Sequence, residues 1–283
     1  MAAPRSTGRP IALKQALSYG GLLAVAFVLL LPFAWMVSTS LKGNEAIFAI
    51  PPQWIPETLR WDNYAEVFER MPFLLYLRNT TVITVFTIIG TVGSSALVAY
   101  AFACLRWPGR DMLFLFVVAT MMLPLQVIMI PLFVLFKEFG WLNTYKPLIV
   151  PAFLGGGAFN IFLMRQFFLT LPSELFDAAR IDGASEWTIF WRIALPLARP
   201  ALVTVALLTF MFAWNDFLGP LIYLSDQAKN TLALGLALFT GQHQTDWGVL
   251  MAASILMMVP VIALFFFFQR YFIKGFTMSG LKG

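Results

Sequence analysis

The chain has 283 residues, of which 60% are apolar and only 12% are charged, and its mean hydropathy is +0.79. Soluble globular domains are roughly 45–50% apolar and about 25% charged, so this composition excludes an ordinary water-soluble enzyme and a disordered chain. One cysteine and one histidine exclude an internal disulfide and a cysteine-rich or multi-histidine metal site. The net charge of +5 comes from scattered residues without a basic run, so nucleic acid is not expected as a partner.

Six apolar stretches are each long enough to cross about 30 Å of hydrocarbon as a helix. The predicted spans are 17–41, 79–105, 112–136, 147–170, 201–224 and 248–273. The first follows basic residues, as a signal peptide does, but a signal peptide has an apolar run of only roughly 7–15 residues, so we interpret it as a retained span. The predicted fold class is therefore all-α, a polytopic membrane protein with six transmembrane helices.

The basic residues predict the orientation of these spans. With the N-terminus in the cytoplasm, 12 of the 19 Lys and Arg residues fall in cytoplasmic segments and seven in outer segments. Four of those seven lie in the segment 42–78, which is long enough to weaken the charge rule. The sequence thus predicts a cytoplasmic N-terminus (1–16), a six-span transmembrane domain (17–273) and a cytoplasmic tail (274–283).

Two of the outer segments carry recognisable patterns. The segment 42–78 contains tryptophans and prolines and is predicted to form a partly ordered cap on the membrane. The segment 225–247 contains an apolar run, 232–239, that is too short to span and is predicted to form a short helix.

The cytoplasmic connection 171–200, between the fourth and fifth spans, is the most patterned segment of the chain. It predicts a helix with Ser173 as the N-cap and Gly183 as the C-terminal cap, because glycine reaches positive φ at little cost. Ser185 is predicted to cap a second short helix, and Pro196 to break it. Small residues on one face of the first helix would let another protein approach closely, which suits a mechanical connector.

This connection resembles the signature of permease subunits of bacterial ABC importers. In that signature Glu-Ala-Ala is followed by three residues, Gly, nine residues and Ile-x-Leu-Pro, and here the matching residues are Asp177-Ala178-Ala179, Gly183 and Ile193-Ala194-Leu195-Pro196. The one departure, Asp for Glu at position 177, keeps the charge and shortens the side chain. Segments 165–168, 179–184, 214–217 and 269–272 and the C-terminus look like the carbohydrate-uptake class. The resemblance covers nearly the whole chain and is closest to the second permease of the maltose and glycerol-3-phosphate importers.

The resemblance implies the fold of an ABC type I importer permease, which moves a sugar or sugar derivative into the cell by alternating access. It implies four further subunits: a homologous second permease, two copies of a cytoplasmic ABC ATPase and an extracytoplasmic sugar-binding protein, which the outer segments 42–78 and 225–247 are expected to face. The implied location is the lipid of the bacterial inner membrane. ATP and Mg would bind the ATPase, so this chain is expected to bind no cofactor and to catalyse no reaction, and it contains no Walker sequence. The expected ATPase-coupling residues are Glu174, Asp177, Ala178, Ala179, Asp182, Gly183, Ile193, Leu195 and Pro196.

Three polar residues in the spans are candidates for the substrate pathway, namely Asn215, Asp216 and Gln126. Asp216 lies roughly 22 Å along the fifth span, towards the outside. An ionisable residue at this depth indicates either a place on the pathway or a structural hydrogen bond near the outer interface.

Glycines and prolines predict irregular places in two spans. The glycine triplet 155–157 predicts close helix packing or an unwound segment, and Pro124 and Pro131 predict a kinked third span.

Two other classes of protein fit the composition less well. A secondary transporter would normally place several coupling carboxylates or basic residues in its spans, and this chain offers one acid there. An intramembrane hydrolase or transferase needs paired aspartates, a Ser/His pair or a metal cluster at membrane depth, and the sequence offers none of these, so no catalytic or metal-ligating residue is assigned.

Overall fold

A computed structural model describes residues 9–239 and 246–279. Within these ranges the chain forms helices and no strands, which confirms the all-α prediction. It divides into two compact units. The first consists of the described residues up to Arg70 together with 246–257, and the second of Met71–Phe239 together with the residues from Met258 onwards.

The helices follow one another with short connections. In chain order they are α1 (Arg9–Ser40), α2 (Asn44–Ile47), α3 (Asp62–Arg70), α4 (Phe73–Cys104), α5 (Arg110–Ala119), α6 (Leu125–Glu138), α7 (Lys146–Ile149), α8 (Ala158–Phe168), α9 (Ser173–Ile181), α10 (Glu186–Ile189), α11 (Leu195–Leu197), α12 (Arg199–Trp214), α13 (Leu218–Tyr223), α14 (Leu232–Phe239) and α15 (Trp247–Ser279). Short 3-10 turns cover Thr120–Met122, Val150–Phe153 and Gln227–Lys229, and Phe190–Ala194 forms a π-helical turn.

Among the described residues, four stretches are long and apolar enough to cross a membrane, and the number rises to six if each of two bent helix pairs forms one span. The four are Leu17–Ser40, Phe73–Cys104, Lys146–Phe168 and Trp247–Gln269. The predicted third span is one of the bent pairs, since the helices on either side of Pro124 meet at 99°. The other bent pair joins the helix Glu186–Leu197 to α12 at 76°, so its bend lies just before the predicted fifth span, 201–224, rather than inside it. Pro124 ends the first half of the third span because it has no N–H to continue the hydrogen bonds of the helix. Pro131, by contrast, lies inside α6.

The first unit is organised around a buried lysine in the predicted outer cap. Lys42 is almost fully buried, donates from Nζ to the carbonyl of Gln53 and lies 4.3 Å over the ring of Trp35. Burial lowers the pKa of this ammonium group. The amide of Asn63 donates to the carbonyls of Ser40 and Lys42 at 2.8 and 2.9 Å, which ties α3 to the end of α1.

The core of the second unit joins α4 and α8 to the connection between α8 and α12. Tyr100 lies at its centre, with ring centroids of Phe168, Phe176 and Phe190 at 6.0, 6.4 and 5.2 Å. Two of these three phenylalanines belong to the patterned connection. The connection is therefore packed into the same buried core as the spans, rather than held only by its two ends.

The glycine triplet forms an unwound segment, as the sequence analysis predicted. All three glycines have positive φ, and they separate the 3-10 turn at Phe153 from α8. Gly156 also allows close packing, because a Cβ at this position would lie 2.5 Å from the carbonyl oxygen of Thr91 on α4. The predicted helix in the outer segment 225–247 is confirmed as α14, where the Leu232 N–H donates to Thr80 Oγ1 at 2.9 Å.

Candidate functional site

The patterned connection contains a tight turn between two short helices. Gly183 has a φ of +80°, its N–H donates to the Arg180 carbonyl at 3.0 Å, and the Ala184 N–H donates to the Ala179 carbonyl at 2.9 Å. These two bonds form a Schellman motif, so the prediction that Gly183 ends the first helix is confirmed. Ser185 then caps the second helix by accepting from the Thr188 N–H at 3.3 Å, also as predicted.

Two local predictions for this connection are wrong. Ser173 is the first residue of α9 and makes no capping bond, because Pro172, with its fixed φ, occupies the N-cap position. Pro196 does not break the second helix, which continues from Glu186 to Leu197 and bends only at Ala198. A proline cannot donate to the carbonyl four residues before it, and the wider π-helical turn at 190–194 accommodates this missing bond.

The two faces of α9 have different surroundings. Phe176 and Ala179 are buried, the latter with only 9% of its surface exposed, and both pack into the core around Tyr100. The opposite face is open, and on it Ile181 is 86% exposed, while Leu175 at the edge of the buried face is 45% exposed. A single exposed apolar side chain is common on protein surfaces, so Ile181 supports a contact with another protein only together with the signature that this connection resembles.

The predicted coupling residues divide between these surroundings. The exposed ones are Glu174, Asp177, Ala178, Asp182, Gly183 and, on the second helix, Pro196. Ala179 is buried, while Ile193 and Leu195 are half-buried and pack against the core. The sequence analysis missed Ile181, although its position three residues after Ala178 on an amphipathic helix was a readable signal.

Arg180 fastens the two short helices to each other and to α4. Its guanidinium donates to Asp177 Oδ1 and Glu186 Oε1, both at 2.8 Å, and to the Cys104 carbonyl at 3.2 Å. The Tyr100 hydroxyl donates to Glu186 Oε2 at 2.8 Å. The bond from Arg180 holds the pKa of the Glu186 carboxyl below its usual value, and the Tyr100 bond acts in the same direction. The attachment of this network to α4 was not predicted, since Tyr100 and Cys104 are distant in sequence from Arg180 and Glu186.

A cavity of about 610 Å³ lies within the second unit, between α4, α6, α8, α12 and α13. Asp216 lines it, in the break between α12 and α13, and its Oδ1 accepts from the Gly219 N–H at 3.0 Å. The Asp216 carboxylate thus makes a structural hydrogen bond to the first turn of α13 and also lines the cavity, while its place on the substrate pathway stays a prediction. The other two candidates do not line it: Asn215 is exposed with its amide on the Met211 carbonyl, and Gln126 is exposed on α6.

The remaining polar lining of the cavity was missed in the sequence analysis. It comprises Thr87 and Thr91 on α4, Asn160 on α8 and Thr209 on α12, with Tyr223 at the end of α13. A signal was present, because the threonines at 80, 84, 87 and 91 recur at helical spacing and mark one polar face of an otherwise apolar span.

Comparisons with known proteins give a consistent result. Residues 95–278 match the family described as "Binding-protein-dependent transport system inner membrane component". The chain is 36% identical to the arabinooligosaccharides transport system permease protein AraQ of Halalkalibacterium halodurans, over 93% of this chain and 95% of the relative. It is 34% identical to the trehalose/maltose transport system permease protein MalG of Thermococcus litoralis, over 96% and 98%. Among solved structures, a bacterial ABC transporter that imports the acidic polysaccharide alginate matches with a TM-score of 0.80 and 25% identity, over 95% of this chain and all of the other.

Proposed function

The chain belongs to the family of binding-protein-dependent transport system inner membrane components and is a permease subunit of a sugar ABC importer, and we propose that residues 172–196 couple it to a separate ATPase. The proposal rests chiefly on one observation. α9 exposes Ile181 on its outer face while its inner face is packed and hydrogen-bonded to the core of the spans.

This arrangement suits a coupling element for a physical reason. A force on the exposed face moves the spans only if the helix cannot tilt on its base. Here the Arg180 side chain ties α9 to the Cys104 carbonyl at the end of α4, and Phe176 packs against Tyr100 four residues before that end. The exposed apolar face and its rigid base are thus separate parts of the same nine-residue helix.

A cross-linking experiment tests this coupling. In a Cys104→Ser background, a photoreactive maleimide attached at Ala178→Cys or Ile181→Cys should cross-link to a protein that mass spectrometry identifies as an ABC ATPase. Ala179→Cys is the matched control, because the neighbouring alanine is buried and should give little or no product. Absence of an ATPase from the products at both exposed positions, or equal labelling from position 179, would contradict the proposal.

We further propose that the complex contains a homologous second permease, two ATPase copies and an extracytoplasmic binding protein. The family description and the transport systems named for the relatives support these partners. The orientation proposed from the charge bias, with both termini in the cytoplasm, places 172–196 on the side where an ATPase finds ATP. In the same orientation the cavity lined by Asp216 opens onto the substrate pathway, and ATP and Mg bind the ATPase rather than this chain.

A further inference from the structure

The chemistry of the cavity restricts the class of sugar that it can accept. At about 610 Å³ it is within the range of roughly 300–1,000 Å³ that is usual for small-molecule sites. Its wall is mainly apolar, with polar side chains at a few points. A cavity of this kind binds a ligand through a small number of placed hydrogen bonds and through contact with apolar surface.

One polar group in the wall has no partner. Thr209 is only 6% exposed and lines the cavity, and its Oγ1 has no hydrogen-bond partner within the described ranges 9–239 and 246–279. A buried hydroxyl without a partner is costly, so such a group indicates a missing ligand or water. Thr209 lies near the C-terminal end of α12 and Asp216 in the break after it, roughly two helical turns further along the chain, and both line the same cavity.

The remaining wall offers the two kinds of contact that a saccharide ring uses. Asn160 donates its amide to the Gly156 carbonyl at 2.7 Å, which leaves its side-chain oxygen able to accept from a hydroxyl. Phe159, Phe212 and Tyr223 supply aromatic surface against which the C–H face of a sugar ring can pack. The cavity wall therefore offers partners both for the hydroxyl groups of a saccharide and for the apolar face of its ring.

The charge of the wall is what separates one sugar class from another. Asp216 is the only charged residue among the described residues that line the cavity, and neither Lys nor Arg is among them. At about 5 Å, with an effective dielectric constant of about 20, two like charges repel by enough to weaken binding by roughly two powers of ten. A carboxylate on the sugar would meet this repulsion with no cation in the wall to offset it.

We propose that this cavity is a saccharide subsite that accepts neutral sugars and disfavours acidic ones, in contrast to the alginate importer that shares its fold. The inference rests on the proposed function and narrows its substrate class. The described residues of the cavity wall support this inference, since one carboxylate, an unpartnered hydroxyl and aromatic surface favour a ligand with hydroxyl donors and no negative charge.

Equilibrium binding to the importer complex, purified through this chain and freed of the extracytoplasmic binding protein that would itself bind sugar, tests the proposal. The probes are tritiated maltotriose and arabinotriose as neutral sugars and trigalacturonate as an acidic sugar of the same length. We expect at least one neutral trisaccharide to bind at least 10-fold more tightly than trigalacturonate. Asp216→Asn should reduce the ratio of neutral-sugar affinity to trigalacturonate affinity by 10-fold or more. The reason is that the amide oxygen can still accept the hydrogen bond from the Gly219 N–H while the negative charge is removed.

Asp226→Asn is the matched control. Asp226 also caps a short helix, through the Ala228 N–H at 3.0 Å, but it does not line the cavity, so its replacement should leave the ratio unchanged. Three results would overturn the proposal: trigalacturonate binding as tightly as the better neutral sugar, a ratio insensitive to Asp216→Asn, or no binding of either neutral sugar. ATP hydrolysis by the same preparation separates these results from a failure of the proposed function, which would leave the purified complex without ATPase activity.

Discussion

Substitution of Gly183 should impair transport through backbone conformation rather than through side-chain bulk. A Cβ at this position would meet no atom within 4 Å, so steric contact inside the chain costs nothing. The φ of +80° costs an ordinary L-residue roughly 1–2 kcal/mol, less for Asn and more for a β-branched residue. A loss of that size lowers the equilibrium constant for forming the turn by a factor of about 5–30.

The series Gly183→Asn, Gly183→Ala and Gly183→Val therefore has a predicted order. ATP-driven sugar uptake, divided by the amount of assembled complex in the same membranes, should fall least for Asn and most for Val. If Asn impairs uptake as much as Val, the docked partner senses side-chain bulk and the conformational explanation fails. If Val supports normal uptake with normal assembly, the turn is not needed for coupling at all.

Two further predictions concern stability and can be checked by thermal unfolding of the purified protein in detergent. Gly156→Ala should destabilise the protein by about 2–5 kcal/mol, because the φ of Gly156 is positive and the new Cβ would lie 2.5 Å from the Thr91 carbonyl oxygen. The control is Gly93→Ala on α4, where a Cβ meets no atom within 4 Å, so this change should be neutral or stabilising by up to about 1 kcal/mol. Glu186→Ala should cost about 1–3 kcal/mol by leaving the Tyr100 hydroxyl buried without its partner, and Glu186→Gln, which keeps an acceptor, should cost less. Equal unfolding temperatures within either pair would contradict the corresponding contact.

The sequence was informative where a local rule decides the outcome. The structure confirms four features that follow from the residues themselves: the apolar stretches, the positive φ of Gly183, the Ser185 cap and the short helix 232–239. The position of the second helix end does not follow, since Pro196 is accommodated by a π-helical turn that depends on packing of Phe190 and Ala194 in the core. Local patterns predict what a segment prefers, and the core decides when that preference is overridden.

The site was predictable to a smaller extent, and for a related reason. The motif located the connection, but it did not show which of two adjacent alanines faces outwards. Ala178 is exposed and Ala179 is buried because Phe176 and Ala179 pack together on the Tyr100 side of α9. Similarly, the depth of Asp216 suggested a pathway residue, but Asn215 beside it points elsewhere because the chain breaks between α12 and α13. Orientation about a helix axis and across a break requires the tertiary contacts.

The unbroken helix α4 connects the proposed coupling element to the proposed sugar subsite. Tyr100, near one end, contacts the connection 172–196, and Thr91 and Thr87 line the cavity further along the same helix. At about 1.5 Å per residue, Tyr100 is roughly 14 Å from Thr91 and roughly 20 Å from Thr87 along the axis. α12 packs along α4, and both helices contribute residues to the core around Tyr100 and to the cavity wall, so on the proposed function a displacement of the connection would be passed to two cavity walls together. The proposed coupling therefore needs no series of loops, since the helices α4 and α12 extend from one proposed site to the other.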